Sequence, residues 1–266
     1  MYKLKDKVAI VTGGSKGIGA GIARQLAADG AKVIVNYASG KSSADNVVAD
    51  IQAAGGQAVA VAADVTRQAE VEALVNAAID IFGRLDIVVN NAGGSPQAQA
   101  ATASPRFSER IVQLNLLAPL HVSQATYPHL RASGGSIINI ASVSAVRPSP
   151  DTAIYGAAKA GLLNLTTSLA QEWGPEVRVN AIIVGLIETE SAEMTYGSSR
   201  AQERIAASLP LGRMGRGGDV AEAVLFLASP AAAYISGAQL AVHGGGERPL
   251  FLEIVKQEAA AAPADQ

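Results

Sequence analysis

Short apolar runs rich in valine and isoleucine recur along the chain, and each is followed by a longer stretch in which Ala, Leu and Ile return at helical spacing. The runs fall at 7–12, 32–37, 58–64, 87–90, 136–142, 178–184 and 239–243. Several, such as Val8 to Val11 and Val33 to Val35, are apolar at nearly every position instead of alternating. That is the pattern of a parallel strand whose sheet is covered by helices on both faces. The segments 19–29, 43–54, 68–82, 104–117, 155–173 and 219–227 read as helices. Ser104 before Pro105 is a strong start signal, and Gly30 and Gly174 stand where helices should stop. The alternation predicts a doubly wound α/β fold of Rossmann type, with a seven-stranded parallel sheet in a single domain over 1–252. Two segments break the rhythm. Residues 188–217 are long enough for a substrate lid, and the Ala-rich stretch 253–266 is expected to form a flexible tail.

Composition narrows the class. About half of the 266 residues are hydrophobic and 17% are charged, which suits a compact core. A net charge of -2 provides no basic field for nucleic acid or an anionic membrane. The absence of cysteine removes thiolate nucleophiles, disulfides and cysteine metal sites. His121, His129 and His243 lie far apart without ligand spacing, so no metal site is expected. No segment reaches the ~18 apolar residues of a membrane span, and the charged start at Lys3, Lys5, Asp6 and Lys7 has no signal-peptide pattern. The expectation is a cytoplasmic protein acting on small molecules.

The first run ends in Thr12-Gly13-Gly14-Ser15-Lys16-Gly17-Ile18-Gly19 and leads into a helix, the context of a dinucleotide-binding turn. Glycines allow close backbone approach, and the helix N-terminus offers unpaired N–H groups to a pyrophosphate. Farther on, Ser142 ends the fifth run, on the sheet edge where such folds bind ligands. Tyr155 and Lys159, four residues apart on a helix, share one face. A phenol can give a proton to a carbonyl oxygen or take one from an alcohol. For Tyr155 to act as a base near neutrality, its phenolate must be favoured by ~4 kcal/mol, which the Lys159 ammonium and an oxidised nicotinamide can supply in a sheltered site.

The spacing Gly-x-x-x-Gly-x-Gly resembles the short-chain dehydrogenase/reductase family. The resemblance extends over residues 7 to 246 through Asp64, Asn90-Asn91-Ala92-Gly93, Asn115, Ser142 and Tyr155-x-x-x-Lys159 in the family's order, and its nearest branch is the 3-oxoacyl thioester reductases. It implies a proton relay supported by Asn115, a substrate oxygen held by Ser142, acid–base chemistry at Tyr155, and Lys159 bound to the nicotinamide ribose. It also implies cofactor contacts from Gly13, Ser15, Lys16, Ile18, Gly19, Asp64, Val65, Asn91, Ala92, Gly93, Gly185, Ile187 and Thr189, besides Tyr155 and Lys159. Val184 departs from the family, which has proline there, and puts nicotinamide placement in question.

An acidic residue after the second strand would hold the ribose of NAD. This chain has Asn36, Tyr37, Ala38, Ser39, Gly40 and Lys41 there, and Lys16 in the turn adds a cation, so NADP(H) is expected over NAD(H). The expected activity is NADP(H)-dependent hydride transfer between nicotinamide and a carbonyl or secondary alcohol, with a 3-oxoacyl thioester as one candidate. The alternative is a non-catalytic NADP(H)-binding redox-responsive regulator. Arg131 and Arg147 are the cations that fall nearest the site in sequence, too few for an evident carrier-docking patch. Gly156, Ala157, Ala160 and Gly161 permit close packing, either within the domain or in the dimer or tetramer common among family members.

Overall fold

The computed structural model describes residues 4–261. Seven strands form one parallel sheet: β1 (Val8–Val11), β2 (Lys32–Tyr37), β3 (Gln57–Ala62), β4 (Ile87–Asn90), β5 (Ser136–Ser142), β6 (Arg178–Val184) and, at the far edge, β9 (Gln239–Val242). Their order is β3-β2-β1-β4-β5-β6-β9. The chain moves outward in one direction from β1 to β3 and returns to β4 on its other side. The carboxyl ends of β1 and β4 therefore flank the crevice in which doubly wound folds hold ligands.

The expected period of two separates the core into layers. Ala9, Val11, Val33, Val35, Ile87 and Val89 face one side with α1 (Gly17–Ala28), α2 (Lys41–Ala53) and α9 (Gly217–Ala228). Val8, Ile10, Ile34, Val88 and Ile137 face the other, against α3 (Gln68–Phe82), α5 (Ala118–Ser133) and α6 (Ala153–Trp173). Both faces of each central strand are buried, which is why the sequence shows continuous apolar runs.

Three regions depart from the sequence reading or add to it. The helix expected to end at Leu117 begins as α4 (Pro105–Val112), capped by Ser104, whose Oγ accepts from Phe107 N at 3.2 Å. It widens into a π turn at Gln113–Leu117 and continues as α5 to Ser133. Pro119 and Pro128 make α5 look broken in sequence, but Pro119 stands at the junction with the widened turn, where a missing N–H is tolerated.

The segment 188–217 is tied at its base by a two-residue parallel pair, β7 (Ile187–Glu188) with β8 (Gly215–Arg216), and carries α7 (Ala192–Tyr196) and α8 (Ser199–Ser208). The stretch from Glu253, expected to form a flexible tail, is helical as far as Ala261 in α10 (Leu250–Ala261), because Ala, Leu, Glu, Lys and Gln all favour helix. The expectation for 262–266 lies outside the described residues. Among the described residues no helix is long and apolar enough to cross a membrane.

Candidate active site

Ser142 is the last residue of β5, and its Oγ accepts from Ser144 N at 3.2 Å as the chain turns through Val143–Ala145. The first turn of α6 rests on that loop. A Cβ on Gly156 would lie 2.8 Å from the Ser144 carbonyl oxygen, so glycine lets the helix approach closely enough to bring Tyr155 beside Ser142. One turn on, Lys159 is buried, with Nζ donating to the Ile140 carbonyl at 2.7 Å and lying 5.8 Å from the centre of the Tyr155 ring. Gly93 closes the back: a Cβ there would meet Asn115 Oδ1 at 2.7 Å and Lys159 Nζ at 3.2 Å. The residues expected to carry chemistry thus converge from β4, the π turn, β5 and α6.

Their electrostatics refine the expectation. Burial pushes Tyr155 above its ordinary range, the Ser142 hydrogen bond opposes this, and the neighbouring Tyr196 hydroxyl adds to it. Burial lowers Lys159 to about 8. In the protein alone the lysine does not bring the phenol down, so at neutral pH Tyr155 stands as a proton donor. Asn115 is fully enclosed: Oδ1 accepts from Gly94 N at 2.9 Å, and Nδ2 donates to the carbonyls of Gly94 and Ile111 at 2.9 and 3.0 Å. The π turn places this side chain as a brace between α4 and the loop after β4.

On the β1 side, the glycine turn leads into α1, which has no side-chain cap at Lys16 and no acidic residue in its first turn. A Cβ on Gly19 would overlap the Gly13 carbonyl oxygen, and one on Gly13 would press on Ala92 at 3.0 Å. A helix start with no acidic residue of its own, beside a turn open to close backbone approach, fits a dinucleotide pyrophosphate. Such a cofactor would be held by this turn and would supply or accept the hydride.

Several expected contacts instead build this cradle from within. Asn36 is buried, with Oδ1 accepting from Gly13 N at 3.2 Å and Nδ2 donating to the Ala63 carbonyl at 3.0 Å, so its side chain holds the turn to β2 and β3 and does not face the crevice. Asn91 Nδ2 donates to the carbonyls of Thr12 and Gly13. Asp64 Oδ1 accepts from Thr66 N and Oγ1. Ser15, Ile18, Tyr37 and Ala92 are half-buried about the turn and strand ends, Ala38 and Ser39 are exposed, and Val65 is buried. Lys41 pairs with Asp45 at 2.7 Å, whereas Lys16 Nζ lies 3.7 Å from where a Gly40 Cβ would be.

Val184 sits inside β6, paired with Ser142 and Val242, and Gly185 packs so tightly on His243 that a Cβ would approach it to 2.6 Å. Ile187 N donates to the Tyr196 hydroxyl at 3.3 Å. Tyr196 thus turns into the site while Met194 beside it is almost fully exposed.

Arg131 and Arg147, adjacent to the site in sequence, separate in space. Arg131 lies in the last turn of α5, at the amino ends of the strands, beside Glu176. Arg147 stands on the crevice side and forms a double contact with Glu247 at 2.6 and 2.7 Å. The sequence reading also overlooked Thr12, whose buried Oγ1 accepts from Asn91 N and Ala92 N, although its place at the end of a buried strand was a signal. Of two surface clefts, one of about 500 Å³ lies between α3 and α5, away from these residues, and one of about 460 Å³ lies between β9 and the base of 188–217, with Ile187 in its wall.

A family model described as enoyl-(acyl carrier protein) reductase matches residues 13–247. An uncharacterized oxidoreductase of Methylorubrum extorquens is 44% identical over 92% of this chain and 99% of its own length. The chain belongs to the short-chain dehydrogenase/reductase family. A 3-oxoacyl-[acyl-carrier-protein] reductase of Synechocystis is 40% identical over 92% of this chain and 98% of its own. A 7α-hydroxysteroid dehydrogenase solved with NADH and 7-oxo glycochenodeoxycholic acid superposes with a TM-score of 0.88, at 35% identity over 94% of this chain and 97% of that one. This short-chain dehydrogenase/reductase is therefore an oxidoreductase of carbonyl and alcohol groups, using a nicotinamide cofactor and a small-molecule substrate.

Proposed function

We propose that this chain is an NADP(H)-dependent ketoreductase or secondary-alcohol dehydrogenase, and that Tyr155 is its acid and base. The observation that carries the reading is the convergence of Tyr155 with Ser142, whose side chain acts on its phenol, and with the buried Lys159, whose Nζ lies 5.8 Å from the centre of the Tyr155 ring. A bound reduced nicotinamide would supply the hydride. Ser142 orients the substrate oxygen, and Tyr155 gives that oxygen its proton, so the carbonyl becomes an alcohol. In the reverse direction the phenolate takes the proton back. Lys159 would hold the ribose and adds positive charge beside the phenol, and Asn115 braces Gly94 and so supports the relay that reprotonates Tyr155.

The NADP(H) preference rests on the loop after β2. It has no carboxylate, Ser39 is exposed, and α2 starts at Lys41 after Gly40 without a side-chain cap or an acidic first turn. Lys16 leans over that helix start, and among the described residues it forms no ion pair. A 2'-phosphate is the group this arrangement suits. A 3-oxoacyl thioester is the substrate class supported by the Synechocystis relative's name. Pairing of Arg147 with Glu247, and the distance of Arg131, favour a small thioester over one presented on an acidic carrier.

Reduced-nicotinamide absorbance tests the reading with ketones, acetoacetyl thioesters and secondary alcohols. Tyr155→Phe is expected to lose ~10²- to 10⁴-fold in kcat while still binding NADPH. Full activity in that variant overturns the mechanism. A higher kcat/KM with NADH than with NADPH overturns the cofactor preference.

A further inference from the structure

The first amide of α1 already has an acidic partner, and it comes from the far end of the sequence. Gly17 N donates to Glu190 Oε2 at 3.1 Å. Neither Lys16 nor the first turn of α1 supplies a side-chain acceptor, so the carboxylate arrives from the segment after β7. Thr189 lies against the same glycine, its Cγ2 3.5 Å from where a Cβ would be. Among the described residues, no lysine or arginine forms a salt bridge with Glu190. Within the protein its negative charge is therefore met by the helix start, through the N–H and the positive end of the helix dipole, while its exposed side remains open to water.

A carboxylate on that amide occupies the ground of a phosphate: both are anions with oxygen acceptors, and a pyrophosphate needs the same helix start. Two anions cannot share it without strong repulsion, so one must leave. We infer that Glu190 is a built-in competitor of the dinucleotide pyrophosphate, holding the segment 189–196 down on the glycine turn until the cofactor displaces it. The same segment carries the Tyr196 hydroxyl, which takes the Ile187 amide at 3.3 Å. Displacing Glu190 pulls on α7 and so links cofactor binding to movement of the segment over Tyr155. Glu190 thereby lowers affinity for the dinucleotide and speeds its release.

This inference rests on the turn's being the dinucleotide site. The test is binding, by fluorescence for NADPH and calorimetry for NADP+, NAD+ and ADP-ribose, to the full chain and to its Glu190→Gln and Glu190→Ala variants. Because the four ligands share only the ADP-ribose core with its pyrophosphate, both variants are expected to bind all of them tighter by a similar factor, about 5- to 10-fold. In the ligand-free protein, the Gly17 amide signal should shift in both variants and exchange faster with solvent in Glu190→Ala. Unchanged or weaker binding with dinucleotide affinity otherwise intact overturns the inference alone. Tightening confined to NADPH and NADP+ also overturns it, since that would place Glu190 at the 2'-phosphate. Loss of all dinucleotide binding in the wild-type chain instead sinks the function proposed above, and this inference with it.

Discussion

Lys159 and Tyr155 are shifted by the same cause, burial, in opposite directions, because burial disfavours whichever form is charged. Lys159 falls from an ordinary 10.5 to about 8. Between those values the unfolded chain binds more protons than the folded one, so this group's contribution to stability increases as pH rises through that window. Denaturant unfolding at about pH 7 and about pH 9.5 checks the sign: the wild type should gain stability relative to Lys159→Met on going to the higher pH. Activity has its own profile. Carbonyl reduction, which needs a protonated Tyr155 beside a cationic lysine, should hold through neutral pH and fall as Lys159 loses its proton near about 8. Alcohol oxidation, which needs the phenolate, should rise with pH over the same range. Identical profiles in both directions would contradict the assigned roles.

Among the elements, the segment 188–217 depends on its base more than on its own packing. No residue of α8 is buried, and the inward anchors are Ala192, Leu209 and Met214. At the base, Asp219 accepts from both guanidinium nitrogens of Arg213 at 2.7 Å and from Arg216 N at 2.7 Å, which holds the carboxyl down to about 2. This contact caps α9 and fastens it to Arg213 and to Arg216 of β8. Asp219→Ala removes the cap, a loss of about 1 kcal/mol, and with it the solvent-exposed ion pair to Arg213. It should expose 188–217 to protease well before the seven-stranded sheet melts. Because the carboxyl titrates so low, the wild-type clamp should persist through mildly acid pH and fail only toward about 2. Simultaneous loss of segment and sheet in one transition would show that the base is no separate clamp.

What could be read from sequence at this scale follows from which forces are local. All seven strands of the main sheet were legible because burial on both faces writes apolar character into consecutive residues. Ser104 and Pro105 announced α4 because a cap is local chemistry. The π turn that seats Asn115 has no such signature, and two prolines disguised α5. Tyr155, Lys159 and Ser142 could be found as a set because their spacing follows from one strand and one helix. The inward service of Asn36 and Asn91 was hidden, since it depends on how three strand ends meet. Arg131 misled because sequence proximity to β5 says nothing of which end of the sheet a residue reaches.

For the whole molecule, two surfaces compete to join one copy to another in the oligomer that the family resemblance predicts. The small residues of α6 divide in the structure. Gly156 and Gly161 serve the domain itself, the first under the Ser144 carbonyl and the second with its Cβ position 3.2 Å from Leu116. Ala157, Ala160, Asn164 and Ser168 are exposed and fall along one side of the longest helix, giving a flat face that a second α6 can approach closely. α10 presents a different surface, with Leu250, Phe251, Ile254 and Val255 exposed, and it begins beyond residue 247, where the family match ends. A family-type assembly should therefore use α6, not α10. Sedimentation of Ala160→Arg, which sets a bulky cation on the flat face, should show a smaller particle with an unchanged fold by circular dichroism. A chain ending after Arg248 should keep both its oligomeric state and its cofactor binding. The reverse result, dissociation on truncation and none with Ala160→Arg, would move the interface to α10.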